Sequence, residues 1–368
     1  MMKLKLSFAV LFIFVAFSSL SAYAAAGAVY TETNSSQNAI LVFSRTLDGQ
    51  LISTSARGVL TGGAGTGTGL GTQGALAIDE SNTFLFAVNA GSDNISVFRI
   101  TEQSLSLVGV TSSNGRNPIS LTVNHNILYV LNDGGAVGGS DTIAGFSVDD
   151  SGHLTSIVSG LPLSAASVGP PEISFNPDGN LLVVTEKATN NIDVFTVDAN
   201  GVASGPTIMQ SAAQTPYGFA FGKRNQLIVS DAVGGATGAG AVSSYAASSD
   251  GVLQIITGSA ADNQTAPCWI TLTSDGLYAY TTNTGSGSVS SYSVGFDGTL
   301  GLLNSVAANT GSGSSPVDEA ISNDSRYLYV LTPGTGKIQG FTISPDGSLA
   351  PLSLTTSALS SSSGLVAR

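Results

Sequence analysis

Two adjacent full charges, Glu186 and Lys187, stand where the apolar run of residues 181–184 gives way to a polar crossing. A carboxylate so placed can act as a general base or a metal ligand, and an ammonium beside it can stabilise an oxyanion. Arg116, in the segment SNGRNP, is a second cation for that task. We therefore take Glu186, Lys187 and Arg116 as catalytic candidates, with Glu186 as base and the two cations as electrophilic helpers. The plainer alternative for Glu186 and Lys187 is an exposed ion pair of small energetic weight. Cys268 is the only cysteine and precedes the only tryptophan, Trp269. It excludes an internal disulfide and reads as a small buried hydrophobe. Residues 69–74, GLGTQG, have the G-x-G-x-x-G spacing. A dinucleotide site needs a strand before that motif and a helix after it. Here a strand follows, so we read a Gly-rich loop. Asp318 and Glu319 are neighbours, and neighbours in a strand point to opposite faces. At most one of them serves a given site.

These residues are positioned by a repeat. A hydrophobic strand, a polar crossing and a second strand carrying an aromatic recur seven times, the aromatics being Phe43, Phe98, Phe146, Phe195, Tyr245, Tyr292 and Phe341. Such a period in an all-strand chain means stacked units. Each unit resolves into four strands, a to d, with Asp-Gly or Asn-Gly turns of the kind hairpins need, as at Asp48-Gly49, Asn200-Gly201 and Asp346-Gly347. No stretch has sustained 3.6-residue periodicity, so we place no helix after residue 24. The fold class is all-β: a seven-bladed β-propeller of four-stranded antiparallel blades. Strand a is introduced six times, at Gln73-Gly74, Asn117-Pro118, Pro170-Pro171, Thr215-Pro216, Ala266-Pro267 and Ser315-Pro316. The first copy, from Ala28, lacks it, and residues 364–367 form an orphan strand. One blade is thus shared by N- and C-terminal strands, which closes the ring and removes two sheet edges.

In a propeller the b–c and d–a connections lie on one face, the top. One register position near the ends of the b strands reads Glu32, Asn89, Asn132, Thr185, Asp231, Thr281 and Thr332. Each caps its own strand, or together they form a ring of oxygens facing the channel, able to hold Ca²⁺ or a polyhydroxy ligand. The ligand-binding candidates are Glu32, Asn89, Asn132 and Asp231, with Trp269, Asn283 and Asp318. No obligate cofactor or metal is expected; Ca²⁺ is the one cation that the ring suggests. His125 and His153 fall in turns of the opposite face, which leaves a Ser-His-Asp triad at the channel unsupported.

Lys3 and Lys5, an apolar run over residues 6–20 and Ala22-Tyr23-Ala24 read as a signal peptide over residues 1–24. The remaining residues, 25–368, are expected to form one propeller domain, secreted or periplasmic. The formal net charge is −12, and losing Lys3 and Lys5 makes it more negative. That balance repels nucleic acid. The expected partner is a small-molecule ligand or another protein; we expect no membrane span and a monomer.

The strand-b ends, the F-N-P-D-G turn at residues 175–179 and the D-G-x-L turns resemble those of the seven-bladed propeller lactonases, the 6-phosphogluconolactonase and carboxymuconate-lactonizing family. The likeness spans essentially all of residues 25–368. It implies a lactonase-like hydrolase, with Glu186 matching the family's glutamate at a strand-b end. The family's G-P-R-H stretch reads Gly169-Pro170-Pro171-Glu172 here, and the family histidine of the preceding blade is matched by Ile119 or Ser120. Few Arg and Lys are present to hold a phosphate, so the expected substrate is a small uncharged lactone or sugar-derived ester. The other reading is a non-catalytic binding propeller.

Overall fold

Seven antiparallel sheets stand around a central axis in the computed structural model, which describes residues 25–55, 57–101 and 104–368. Residues 1–24, over which a signal peptide is expected, lie outside the described residues. Blade 1 consists of Ser363–Ala367, Ala25–Glu32, Ala39–Thr46 and Leu51–Ser53. Blades 2 to 7 follow in chain order, their innermost strands being Leu76–Ile78, Pro118–Asn124, Ile173–Phe175, Pro216–Phe221, Pro267–Leu272 and Glu319–Ile321. The ring closes where the orphan strand predicts: Val29 pairs with Ala367 and Tyr30 with Val366. Two short 3₁₀ turns, Gly134–Val137 and Val233–Gly235, are the only helical pieces among the described residues. They fall within b–c connections long and Gly-rich enough to coil once.

The core lies between blades. All seven repeat aromatics are buried. They sit inside strand c rather than at its end, opposite apolar strand-b residues such as Leu85, Leu182 and Leu328. Neighbouring blades are also fastened by the c–d turns. Tyr329 donates its hydroxyl to the Gly49 carbonyl (2.8 Å), Tyr129 to Gly201 (2.7 Å) and Tyr280 to Gly347 (3.0 Å). Glycine is required at these turns. At Gly49 φ is +82°, and a Cβ would lie 2.4 Å from the Tyr327 ring of blade 7.

Candidate functional site

The b strands end in a buried polar layer under the top loops. Asn89, Glu186, Asp231, Asn283 and Thr332 are each the last residue of strand b, four residues beyond the one paired with the repeat aromatic. Asn132 holds the same register. Glu186 therefore belongs to the ring itself. Thr185 and Thr281 lie off this register, and Glu32 stands one position short of it, where Thr33 is equivalent. A slip of one residue turns a side chain to the other face of the sheet. These residues are fully buried, and the hydrogen bonds they make run to loops and neighbouring strands. Asn89, for example, accepts from Thr61 (2.7 Å) and Asn38 (3.0 Å) and donates to Asn94 (2.8 Å) and Ser96 (2.7 Å). Strand-b side chains alternate between the two adjacent blades; only the innermost strands face the axis. The ring thus sits between blades and not at an open mouth. Asp231 has no hydrogen-bond partner on either oxygen, and burial pushes its pKa well up.

Glu186 is held on both oxygens. The Ser164 N–H donates to Oε1 (3.1 Å), the Ser164 hydroxyl donates to Oε2 (2.6 Å), and the Thr189 hydroxyl donates to Oε2 as well. The same Ser164 N–H donates to Asp193 Oδ2 (2.9 Å). The carboxyls of Asp193 and Glu186 lie side by side, within reach of one shared proton. Burial, then that contact, raise the Asp193 pKa to about 8. Glu186 thereby pins Ser164 to the end of its own strand and is itself fully buried.

Lys187, the next residue, turns towards the axis. Its Nζ lies 4.7 Å from the centroid of the Tyr217 ring, a cation–π contact. Burial lowers its pKa, against the opposing pull of Asp133. Asp133, at the end of Ile127–Asp133 in blade 3, has its carboxyl raised to about 7 by burial and by the neighbouring carboxyl of Asp141, against the lowering field of Lys187. Asp141 is fixed by the N–H groups of Gly135 and Val168 (both 2.7 Å). Lys187 and Asp133 feel each other without forming an ion pair: among the described residues, ion pairs join only Arg45 to Asp324 and His153 to Asp149. Trp269 is buried, tilts against Tyr217 at 5.2 Å and donates its indole N–H to the Thr72 carbonyl (3.0 Å). Cys268 donates to the Ala266 carbonyl (3.2 Å), and burial raises its thiol to about 11, which makes it a poor nucleophile. Arg116 is exposed on blade 3 and donates to the Val137 carbonyl (3.2 Å), bracing the 3₁₀ turn.

The Gly-rich loop at residues 69–74 covers this assembly. Tyr217 donates to the Gly71 carbonyl (2.6 Å). Gln73 crosses the axis to blades 5 and 6, donating to Ile270 O (3.0 Å) and accepting from Ile270 N (3.1 Å). The lid divides the channel into an upper site and a lower cavity.

A model of the family "Lactonase, 7-bladed beta-propeller" matches residues 29–163, 119–221 and 230–364. The chain belongs to the seven-bladed β-propeller lactonases. Solved structures agree in fold. A Bacteroides fragilis protein provisionally called a 6-phosphogluconolactonase is 20% identical, over 93% of this chain and 98% of that one, with a TM-score of 0.72. The Pseudomonas aeruginosa periplasmic gluconolactonase PpgL is 17% identical, over 92% of this chain and 98% of that one, with a TM-score of 0.72. A Lactobacillus plantarum protein is 16% identical, over 93% of this chain and 99% of that one, with a TM-score of 0.73. No curated protein sequence matches the chain.

In this lactonase-family propeller, Glu172 follows the Gly169-Pro170-Pro171 stretch and points into the channel below the lid, where it accepts from the Phe219 N–H (2.6 Å). Asp318, Glu319 and Glu32 are buried near the innermost strands of blades 7 and 1, and all four carboxyls are pushed well above their usual range by burial. Among the described residues no group of three or more His, Cys, Asp or Glu is placed to hold a metal ion, and no helix is long and apolar enough to cross a membrane. Sequence reasoning missed Asp133, Asp141 and Asp193. The signal available for the first was its place directly after Asn132.

Proposed function

We propose that the protein is an exported hydrolase of small uncharged lactones or sugar-derived esters, with Asp133 as general base and Lys187 as oxyanion stabiliser. The observation that carries this reading is the pairing of a carboxyl titrating at about 7 with a half-buried ammonium that it does not touch. A base poised near neutral pH and a cation set apart from it are what acyl transfer to water needs on either side of a carbonyl. Ionised Asp133 takes a proton from water as its oxygen attacks the carbonyl carbon. Lys187 donates to the oxyanion that develops. Collapse breaks the ring C–O bond, and protonated Asp133 returns the proton to the leaving alkoxide, giving a hydroxy acid. Tyr217 holds the ammonium in place, and Trp269 and the lid fix Tyr217. The scarcity of cations supports an uncharged substrate.

Hydrolysis of a panel of aldonolactones and simple γ- and δ-lactones tests this reading. Asp133→Asn is expected to lower kcat by at least about 100-fold, the usual contribution of a general base, and Lys187→Met by a similar factor. Wild-type activity should rise with pH through about 7. Full activity in Asp133→Asn would end the assignment. A wild type inert across the panel would leave a binding propeller as the better description.

A further inference from the structure

Below the lid the channel opens on the face opposite Lys187, in two adjoining cavities of about 610 and 500 Å³. Both lie in the size range of small-molecule sites. They share Glu80 and Thr271 in their walls, with Glu319 on one side and Glu172 on the other. No Lys or Arg lines either cavity. Glu319 is 5% exposed, and neither of its carboxyl oxygens has a hydrogen-bond partner. Burial and then Asp318 oppose its ionisation, and the Thr271 backbone favours it without meeting hydrogen-bond geometry. A buried carboxyl aimed into a cavity with nothing to pair it costs stability unless something arrives to pair it.

We propose that this lower mouth binds an aliphatic primary amine or diamine, its ammonium on Glu319 and its stem along Ile78, Leu272, Ile321 and Leu365. An ammonium carries three N–H donors and an apolar stem. The surroundings offer single carboxyls, the Thr271 hydroxyl and apolar side chains from the innermost strands of blades 1, 2, 6 and 7. A bare divalent ion asks for several oxygens on one centre, and the described residues provide no such group. Gln73 separates this cavity from Asp133 and Lys187, so amine binding stands apart from the hydrolysis proposed above.

Calorimetric titration with 1,5-diaminopentane at pH 8 tests the site. Wild type and Asp133→Asn are expected to bind equally. Glu319→Gln, which keeps shape and removes charge, is expected to weaken binding at least tenfold, and Glu172→Gln to weaken it by a smaller factor. Should Glu319→Gln not fold, wild type alone still decides, because protonation of Glu319 is expected to weaken binding at pH 5 by at least tenfold. Absence of binding, equal binding of uncharged 1-pentanol, equal affinity at the two pH values, or an equal thermal shift from Ca²⁺ alone would overturn the proposal.

Discussion

A residue's neighbours decide its chemistry, and Glu186 shows how far the immediate surroundings can move a role. Its sequence position beside Lys187 suggests a base. In the fold its oxygens are taken by Ser164 and Thr189, and its carboxyl lies against Asp193. It holds Ser164 and Thr189 on either side of Lys187 in the fold, which makes it a positioning residue in the reading above. Glu186→Gln, with its amide nitrogen in place of Oε1, keeps the Ser164 and Thr189 hydroxyl bonds on the remaining oxygen, gives up the Ser164 N–H bond and presents a donor to Asp193. We expect kcat to fall by no more than about tenfold, well short of the general-base loss at Asp133. The same substitution has a signature in stability. Asp193, raised to about 8, binds a proton more tightly folded than unfolded. Its contribution is complete below its unfolded value and is lost as pH rises through about 8. With the introduced amide as a donor, the folded pKa drops and that loss shrinks. Urea melts of both proteins at pH 5 and pH 8.5 read the effect, and an unchanged difference would show that the two carboxyls do not share a proton.

At the scale of elements, the sequence states the repeat openly and the site poorly. Asp-Gly turns, apolar alternation and a buried aromatic are local signals, and they mark seven blades, six with a strand a of their own, and the orphan strand at residues 364–367. The register of strand b is finer. Reading Thr185 beside Asn89 slips one residue, and one residue reverses a side chain. The upper site joins Asp133, Lys187, Tyr217 and Trp269 from four blades, far apart in sequence, and no local pattern reports that convergence. The lid is equally silent: residues 69–74 look like any Gly-rich loop until Gln73 is seen across the axis. Ring closure is where a local reading yields the sharpest expectation. Deleting residues 363–368 removes the pairing with Val29, Tyr30 and Glu32, takes buried Leu365 out of the core shared with Ala320 and Leu331, and leaves Ala25–Glu32 with a raw edge. The melting temperature should fall by at least about 10 °C, since every kcal/mol lost moves it by a few degrees. A truncated chain that melts with the intact one would mean that the ring is stable open.

The whole molecule is acidic and hides many of its acids. Asp133 titrates at about 7 and Asp193 at about 8, while burial raises Glu32, Glu172, Asp231, Asp262, Asp318 and Glu319. Each holds its proton in the native state at pH values where the unfolded chain has released it. Their contribution is therefore complete near pH 4; that of Asp133 and Asp193 is lost as pH rises through about 7 and about 8, and that of the others as pH rises above the usual carboxylate range. Asp149, Asp198, Asp250, Asp297 and Asp346 act in the opposite sense. Hydrogen bonds within their turns hold their pKa values low, so their smaller, solvent-screened contribution is lost as pH falls below about 4. Between the two windows stability should peak at about pH 4–5, on the acid side of the usual range for proteins. Net charge pushes the same way, because self-repulsion of an anionic chain grows as its acids ionise. Scanning calorimetry from pH 3 to pH 9 at fixed ionic strength reads the peak directly. A melting temperature that climbs from pH 5 to pH 8 would mean that these carboxyls are ionised and partnered in the folded ring. Added diamine at pH 8 should recover part of the loss if Glu319 is one of the groups responsible, and none of it in Glu319→Gln.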